Sequence, residues 1–115
     1  RKNIMAKHSA KREHKRIIRK TRRLLRKWAS KWTPYSWEKA IEPMMLSLIG
    51  MQDYYENGYN VHSAEVDGMP SRLELCKYIT NKWREYLEEE DWRLEEENWN
   101  ALCNLIKVYL RCIWD

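Results

Sequence analysis

The first 32 residues of this chain are strongly basic and contain almost no acidic residues. Residues 1–32 contain 14 Lys and Arg residues and one acidic residue, Glu13, so their formal charge is 14 − 1 = +13. Like charges at i and i+4 destabilise a helix that stands alone. The segment therefore needs a partner that supplies negative charge, either a polyanion or carboxylates of the protein itself.

The remainder of the chain is acidic. Residues 33–115 contain 8 Lys and Arg and 16 Asp and Glu, which gives −8 and leaves a net charge of +5 for the whole chain. Hydrophobic residues make up 43% of the sequence and include seven Trp, a content that favours a packed core over disorder. We therefore predict two domains, a basic N-terminal helix or arm over residues 1–32 and a helical bundle over residues 33–115.

Apolar residues in the basic segment recur at helical spacing from residue 17 onward. The stripe consists of Ile17, Ile18, Leu24, Leu25, Trp28 and Trp32. Thr33-Pro34 predicts the start of a second helix, with Thr33 as the N-cap and Pro34 at the first helical position. Pro43 predicts a kink or restart near Glu42, and Asn57-Gly58 predicts the end of this helix.

Two further helices follow a predicted loop over residues 58–70. Ser71 and Glu74 have the spacing of a capping box, which predicts the start of the third helix. A fourth helix is expected to start between Asp91 and Asn98. Alternation typical of strands does not persist for more than a few residues. The sequence thus predicts an all-α fold, a small helical bundle of three to four helices preceded by a long basic N-terminal helix.

Signatures of catalysis are weak. The chain has only three glycines and no Gly-rich phosphate loop. His62 and Glu65 would suit an acid/base pair, but an isolated loop histidine is more typical of plain exposure. Consecutive residues of a helix point in different directions around its axis. The runs of glutamates around residues 88–97 therefore favour a solvated face over a magnesium site. We predict no enzyme, no catalytic residue, no cofactor and no metal site.

The cysteines indicate a reducing compartment. They are odd in number and widely spaced, unlike a disulfide framework, and we interpret all three as buried thiols: Cys76, Cys103 and Cys112. The longest nearly apolar stretch, residues 43–51, is far shorter than the roughly 20 residues that span a bilayer, and no secretory signal is visible. We expect a cytoplasmic protein without stable membrane insertion.

The basic segment combines cations with aromatic rings, as a phosphate-binding and base-stacking site requires. We expect phosphates to be bound by Arg19, Arg22, Arg23, Arg26 and Lys27, and a base to stack on Trp32 or Tyr35. Tryptophan at helical spacing is also typical of a core. The cations could instead face an anionic membrane surface or be neutralised by the acidic face of residues 85–97, within one chain or between subunits, and the opposed charges predict a homo-oligomer.

The order of motifs resembles a loose group of small all-helical accessory proteins encoded by bacteriophages. The resemblance covers about residues 22–115, and this chain departs from the group at Pro43 and in its basic extension, residues 1–21. It implies an accessory protein acting in the cytoplasm of a bacterial host and transfers no catalytic residue. The segments that carry it are Arg22-Arg23-Leu24-Leu25-Arg26-Lys27-Trp28, Tyr35-Ser36-Trp37, Met51, Tyr54-Tyr55-Glu56, Gly58, Arg72 with Cys76, and Arg111-Cys112-Ile113-Trp114-Asp115.

Three functions are consistent with these features. The first is a non-enzymatic accessory protein that binds an anionic, nucleotide-like ligand and so sequesters a host defence signal. The second is sequence-independent binding of RNA or DNA through residues 1–32, with affinity that falls steeply as salt rises. The third is an inhibitor that docks on a host protein through the acidic face or the basic helix.

Overall fold

The fold consists of helices throughout the residues that the structure describes. A computed structural model describes residues 2–57 and 70–113, with side chains from residue 11 onward, and no strand occurs in these ranges. The predicted all-α fold class, with its long basic N-terminal helix, is confirmed. The predicted loop pair His62 and Glu65 lies outside the described residues. The helices are α1 (Lys2–Ser30), α2 (Glu38–Asn57), α3 (Arg72–Glu88) and α4 (Trp92–Tyr109), followed by one 3₁₀ turn (Leu110–Cys112).

Packing groups these helices into two compact units. The first unit contains α1 and α2, and the second contains α3, α4 and the 3₁₀ turn. The basic helix therefore packs on the first helix of the acidic segment. The predicted division of the chain into domains at residue 32 rests on charge and composition, and it stays a prediction. The packing of the helices divides the chain at a different place.

Contacts between α1 and α2 show that the two helices run antiparallel. Near the start of the described part of α1, the His14 and Tyr54 rings meet edge-on with centroids 5.3 Å apart. Near the end of α1, Trp28 Nε1 donates a hydrogen bond to Glu42 Oε2 at 2.6 Å. Ile17 is buried between these two contacts. Residues early in α1 thus pair with residues late in α2, which fixes which side of the basic helix is covered.

The second helix begins later than its sequence suggests. It starts at Glu38, because the Ser36 hydroxyl accepts a hydrogen bond from the Glu38 N–H at 3.2 Å and its carbonyl accepts one from Lys39 N at 3.1 Å. The predicted N-cap at Thr33 is therefore wrong, and Pro34 lies in a turn. Ser36 offers the cap that Thr33 was expected to provide, three residues further on.

The predicted restart at Pro43 does not occur, and the alternative, a kink near Glu42, stays a prediction. The helix continues from Glu38 to Asn57 through this proline. Pro43 lies in the second turn, where its missing N–H removes one helical hydrogen bond, and the contact of the neighbouring Glu42 with Trp28 holds this turn against α1. The predicted end of the helix at Asn57 is confirmed.

The second unit starts with the capping box that the sequence predicts. The Ser71 side chain accepts from Glu74 N, and the Glu74 side chain accepts from Ser71 N. Asp91 caps α4 by accepting from Arg93 N at 2.9 Å, within the predicted range for the start of that helix. The buried side chains of this unit are Leu75, Cys76, Ile79, Thr80, Trp83, Tyr86, Leu102 and Ile113.

Only one of the cysteines is buried. Cys76 is fully buried, as predicted, but Cys103 and Cys112 are exposed. Each exposed cysteine directly adjoins a buried residue, Leu102 or Ile113. Successive helical side chains point about 100° apart around the axis, so burial of the neighbour turns the thiol outward. The interpretation of all three thiols as buried is therefore wrong for these two.

Candidate nucleic-acid interface

One side of α1 carries a continuous set of exposed cations. They recur at spacings of three and four residues, which places them on one face of a helix. From Arg12 to Arg26 this face extends over about 20 Å at 1.5 Å per residue. We call it the basic face; its members, all exposed, are Arg12, Lys15, Arg19, Arg22, Arg23 and Arg26.

Packing on α2 determines which residues reach this face. Ile17 is buried, Trp28 is half-buried, and Thr21 lies against Gly50 of α2. These three residues recur at spacings of four and seven, so they occupy the side of α1 opposite the basic face. The apolar stripe therefore orients the helix, and the cations between its members point to solvent.

Four of the five cations predicted from the sequence lie together on this face. Arg19, Arg22, Arg23 and Arg26 are all members of it. Lys27 is exposed but lies on the flank of α1, one heptad beyond Lys20, which shares that flank.

The ion pairs of α1 are concentrated on another residue, Arg16. Its Nη2 lies 2.8 Å from Glu13 Oε2 and 2.9 Å from Asp53 Oδ1, and Lys20 Nζ lies 3.9 Å from Asp53 Oδ2. Hydrogen bonds to the two carboxylates raise the pKa of Arg16, which is therefore fixed in its charged form. On the basic face, Arg22, Arg23 and Arg26 form no ion pair with any residue whose side chain is described.

A shallow hollow lies on one edge of the basic face. It has a volume of about 390 Å³, is open to solvent, and is lined by Lys15, Ile18, Arg19 and Arg22. Sequence reasoning missed Lys15, although its spacing of four from Arg19 and seven from Arg22 was a usable signal. Ile18 supplies an apolar surface among three cations.

Three exposed aromatic rings, those of Trp32, Tyr35 and Trp37, follow the end of α1, and the first two are the rings predicted to stack on a base. Trp32 is 51% exposed and Tyr35 is 89% exposed, both in the connection that joins α1 to α2. Trp28 differs from them, since its ring is half-buried and its N–H is bound to Glu42. The two rings named by the sequence as candidates for stacking are thus accessible to a ligand.

The described residues contain no group of three or more His, Cys, Asp or Glu side chains arranged to hold a metal ion. Within the same residues, no helix has the length and apolar content needed to cross a membrane.

The chain matches no protein-family model, no curated protein and no solved structure. The resemblance to bacteriophage accessory proteins therefore stays a prediction.

Proposed function

We propose that this chain is a non-enzymatic protein that binds RNA or DNA without reading its sequence, through the basic face of α1. The observation that carries the proposal is the set of six exposed cations on that face, none of which forms an ion pair with a described side chain. Over about 20 Å, one strand of B-form nucleic acid presents about six phosphates. Contacts to phosphates provide affinity but do not distinguish one base from another.

The shape of the basic face favours a polymer over a single nucleotide. Small-molecule sites bury most of the ligand in a concave pocket, whereas the basic face is the convex outer side of a helix. Arg12 and Arg26 lie too far apart for the phosphates of one nucleotide to reach both. A chain of phosphates can contact the cations along the whole face.

A second candidate function is the binding of an anionic, nucleotide-like ligand. The hollow lined by Lys15, Ile18, Arg19 and Arg22 favours it, because three cations surround the apolar side chain of Ile18 there. The sequestration of a signal nucleotide in a bacterial host would be this site's role. A thermal-shift screen tests it, since a ligand at 100 times its Kd stabilises the folded state by about 2.7 kcal/mol. Self-association and docking on a host protein stay predictions.

Salt-dependent binding of an oligonucleotide tests the main proposal. Fluorescence anisotropy with a labelled strand long enough to cover the basic face is measured between about 50 and 200 mM salt. The triple variant R22Q/R23Q/R26Q removes three cations of the face. Each phosphate contact contributes about 0.7 to the slope of log K against log salt for single strands, so we expect the slope to fall by about 2.

A matched triple variant provides the control. Arg84, Lys107 and Arg111 are exposed cations of the second unit, and R84Q/K107Q/R111Q lowers the net charge by the same amount. We expect this variant to keep the slope of the unmodified protein. Equal weakening by both variants would show that net charge rather than the basic face governs binding, and absence of binding at low salt would contradict the proposal altogether.

A further inference from the structure

The connection between α1 and α2, residues 31–37, exposes two aromatic rings, those of Trp32 and Tyr35, that are available to a ligand. Tyr35 is the most exposed large hydrophobic side chain among the described residues at 89%, and Trp32 is 51% exposed. Neither ring makes a hydrogen bond or a ring contact with another described residue. Exposed apolar rings beside charged groups are typical of a binding surface.

Short-range contacts place Trp32 and Tyr35 next to the ends of helices. The end of α1 continues in a turn, with hydrogen bonds from Lys31 N to Trp28 O at 3.0 Å and from Trp32 N to Ala29 O at 3.2 Å. Tyr35 directly precedes Ser36, whose side chain caps α2. Each ring is thus attached to the end of a helix rather than to the middle of a long loop.

The rings lie just beyond the end of the helix that carries the basic face. Arg26 is the last member of the basic face, α1 ends at Ser30, and Trp32 follows two residues later. Lys27 and Lys31 are exposed in the same interval. A strand whose phosphates follow the basic face toward the end of α1 therefore comes close to the connection.

We propose that the class of ligand is single-stranded RNA or DNA, and that Trp32 and Tyr35 stack its bases where the strand leaves the basic face. This inference rests on the proposed function. A single strand has free base faces, and aromatic side chains stack on them with little regard for sequence. In a duplex the base faces are already stacked on one another, so a duplex can use only the basic face.

Two substitutions separate stacking from phosphate contact. W32L and Y35L each remove a ring, keep an apolar side chain and leave every charge in place. We expect each to lower affinity for a single-stranded oligo-dT or oligo-U by about tenfold, to leave the salt slope unchanged, and to leave affinity for a blunt duplex unchanged. W92L is the matched control, because Trp92 is 72% exposed in the second unit, and we expect it to bind like the unmodified protein.

The outcomes of this experiment distinguish the two proposals. If single strands and duplex bind equally and W32L and Y35L bind as tightly as the unmodified protein, nucleic-acid binding stands and base stacking by the connection is wrong. Equal losses for duplex and single strand in Y35L also overturn stacking. If neither nucleic acid binds at low salt, both proposals are wrong. Circular dichroism of each variant verifies that the helices are retained.

Discussion

Gly50 allows α1 and α2 to approach too closely for a side chain at that position. A methyl group on Gly50 would lie 2.4 Å from Thr21 Oγ1 and 2.9 Å from Thr21 Cγ2. Rotation of Thr21 about χ1 does not remove the clash, since any staggered rotamer leaves at least one heavy γ atom in one of these two places. Gly50→Ala therefore forces the helices apart or shifts them.

The expected size of the effect combines two opposing contributions. Overpacking of this kind costs about 1–3 kcal/mol, while alanine is favoured over glycine in a helix interior by about 1 kcal/mol. We expect G50A to lower the free energy of unfolding by about 1 kcal/mol. In a Thr21→Ala background only the contact with the Cβ of residue 21, at 3.2 Å, remains, so the same substitution should lose most of its destabilising effect.

The difference between the two backgrounds is measured by urea denaturation followed by far-ultraviolet circular dichroism. Four proteins form a double-mutant cycle: the unmodified chain, T21A, G50A and T21A/G50A. A fifth, T21V/G50A, keeps the branched shape without the hydroxyl and should remain destabilised. Additive effects in the cycle, or stabilisation by G50A in the presence of Thr21, would refute the close approach of the helices at this point.

Two other predictions concern ionisable groups. Partial burial of Asp53 acts to raise its pKa, but hydrogen bonds from Arg16 and Asn57 and the charges of Arg16 and Lys20 lower it overall. Its contribution to stability is present above the unfolded value near 3.9 and is lost as pH falls through the lower folded value. Below about pH 4, the urea concentration at the midpoint of unfolding should therefore fall in the unmodified protein, and it should fall less in D53N. The same dependence of the midpoint on pH in both proteins would contradict this. Burial raises the pKa of Cys76 to about 12, so an alkylating agent near pH 8 should label Cys103 and Cys112 quickly and Cys76 only on unfolding. Mass spectrometry counts the labels, and rapid labelling of all three thiols would be the contrary result.

Local signals in the sequence were the most reliable guide to the helices. The Ser71–Glu74 capping box and the end of α2 at Asn57 were predicted correctly, since each depends on residues within one turn. The start of α2 was wrong because Thr33 and Ser36 are both suitable caps within four residues. The pattern alone could not decide between them, whereas the observed hydrogen bond from Glu38 N to Ser36 does.

The residues of the candidate site could be predicted only where they belong to a periodic helical pattern in the sequence. The apolar stripe from Ile17 to Trp28 packs on α2, and Arg19, Arg22, Arg23 and Arg26 therefore lie on one exposed face. The pairing of Arg16 with Asp53 joins residues 37 positions apart, and no local pattern carries that information.

The pairing of Arg16 with Glu13 and Asp53 has a consequence for how a polyanion would first meet this protein. Both carboxylates act near the middle of α1, whereas Arg22, Arg23, Arg26 and Lys31 beyond them stay uncompensated by described side chains. The two carboxylates therefore reduce the positive potential on the flank of α1 that carries Arg16 and Lys20, and not on the basic face. Long-range electrostatic attraction orients an incoming charged partner during diffusion. An encounter would start on the basic face, and substitution of Arg22 or Arg23 would slow association more than substitution of Arg16.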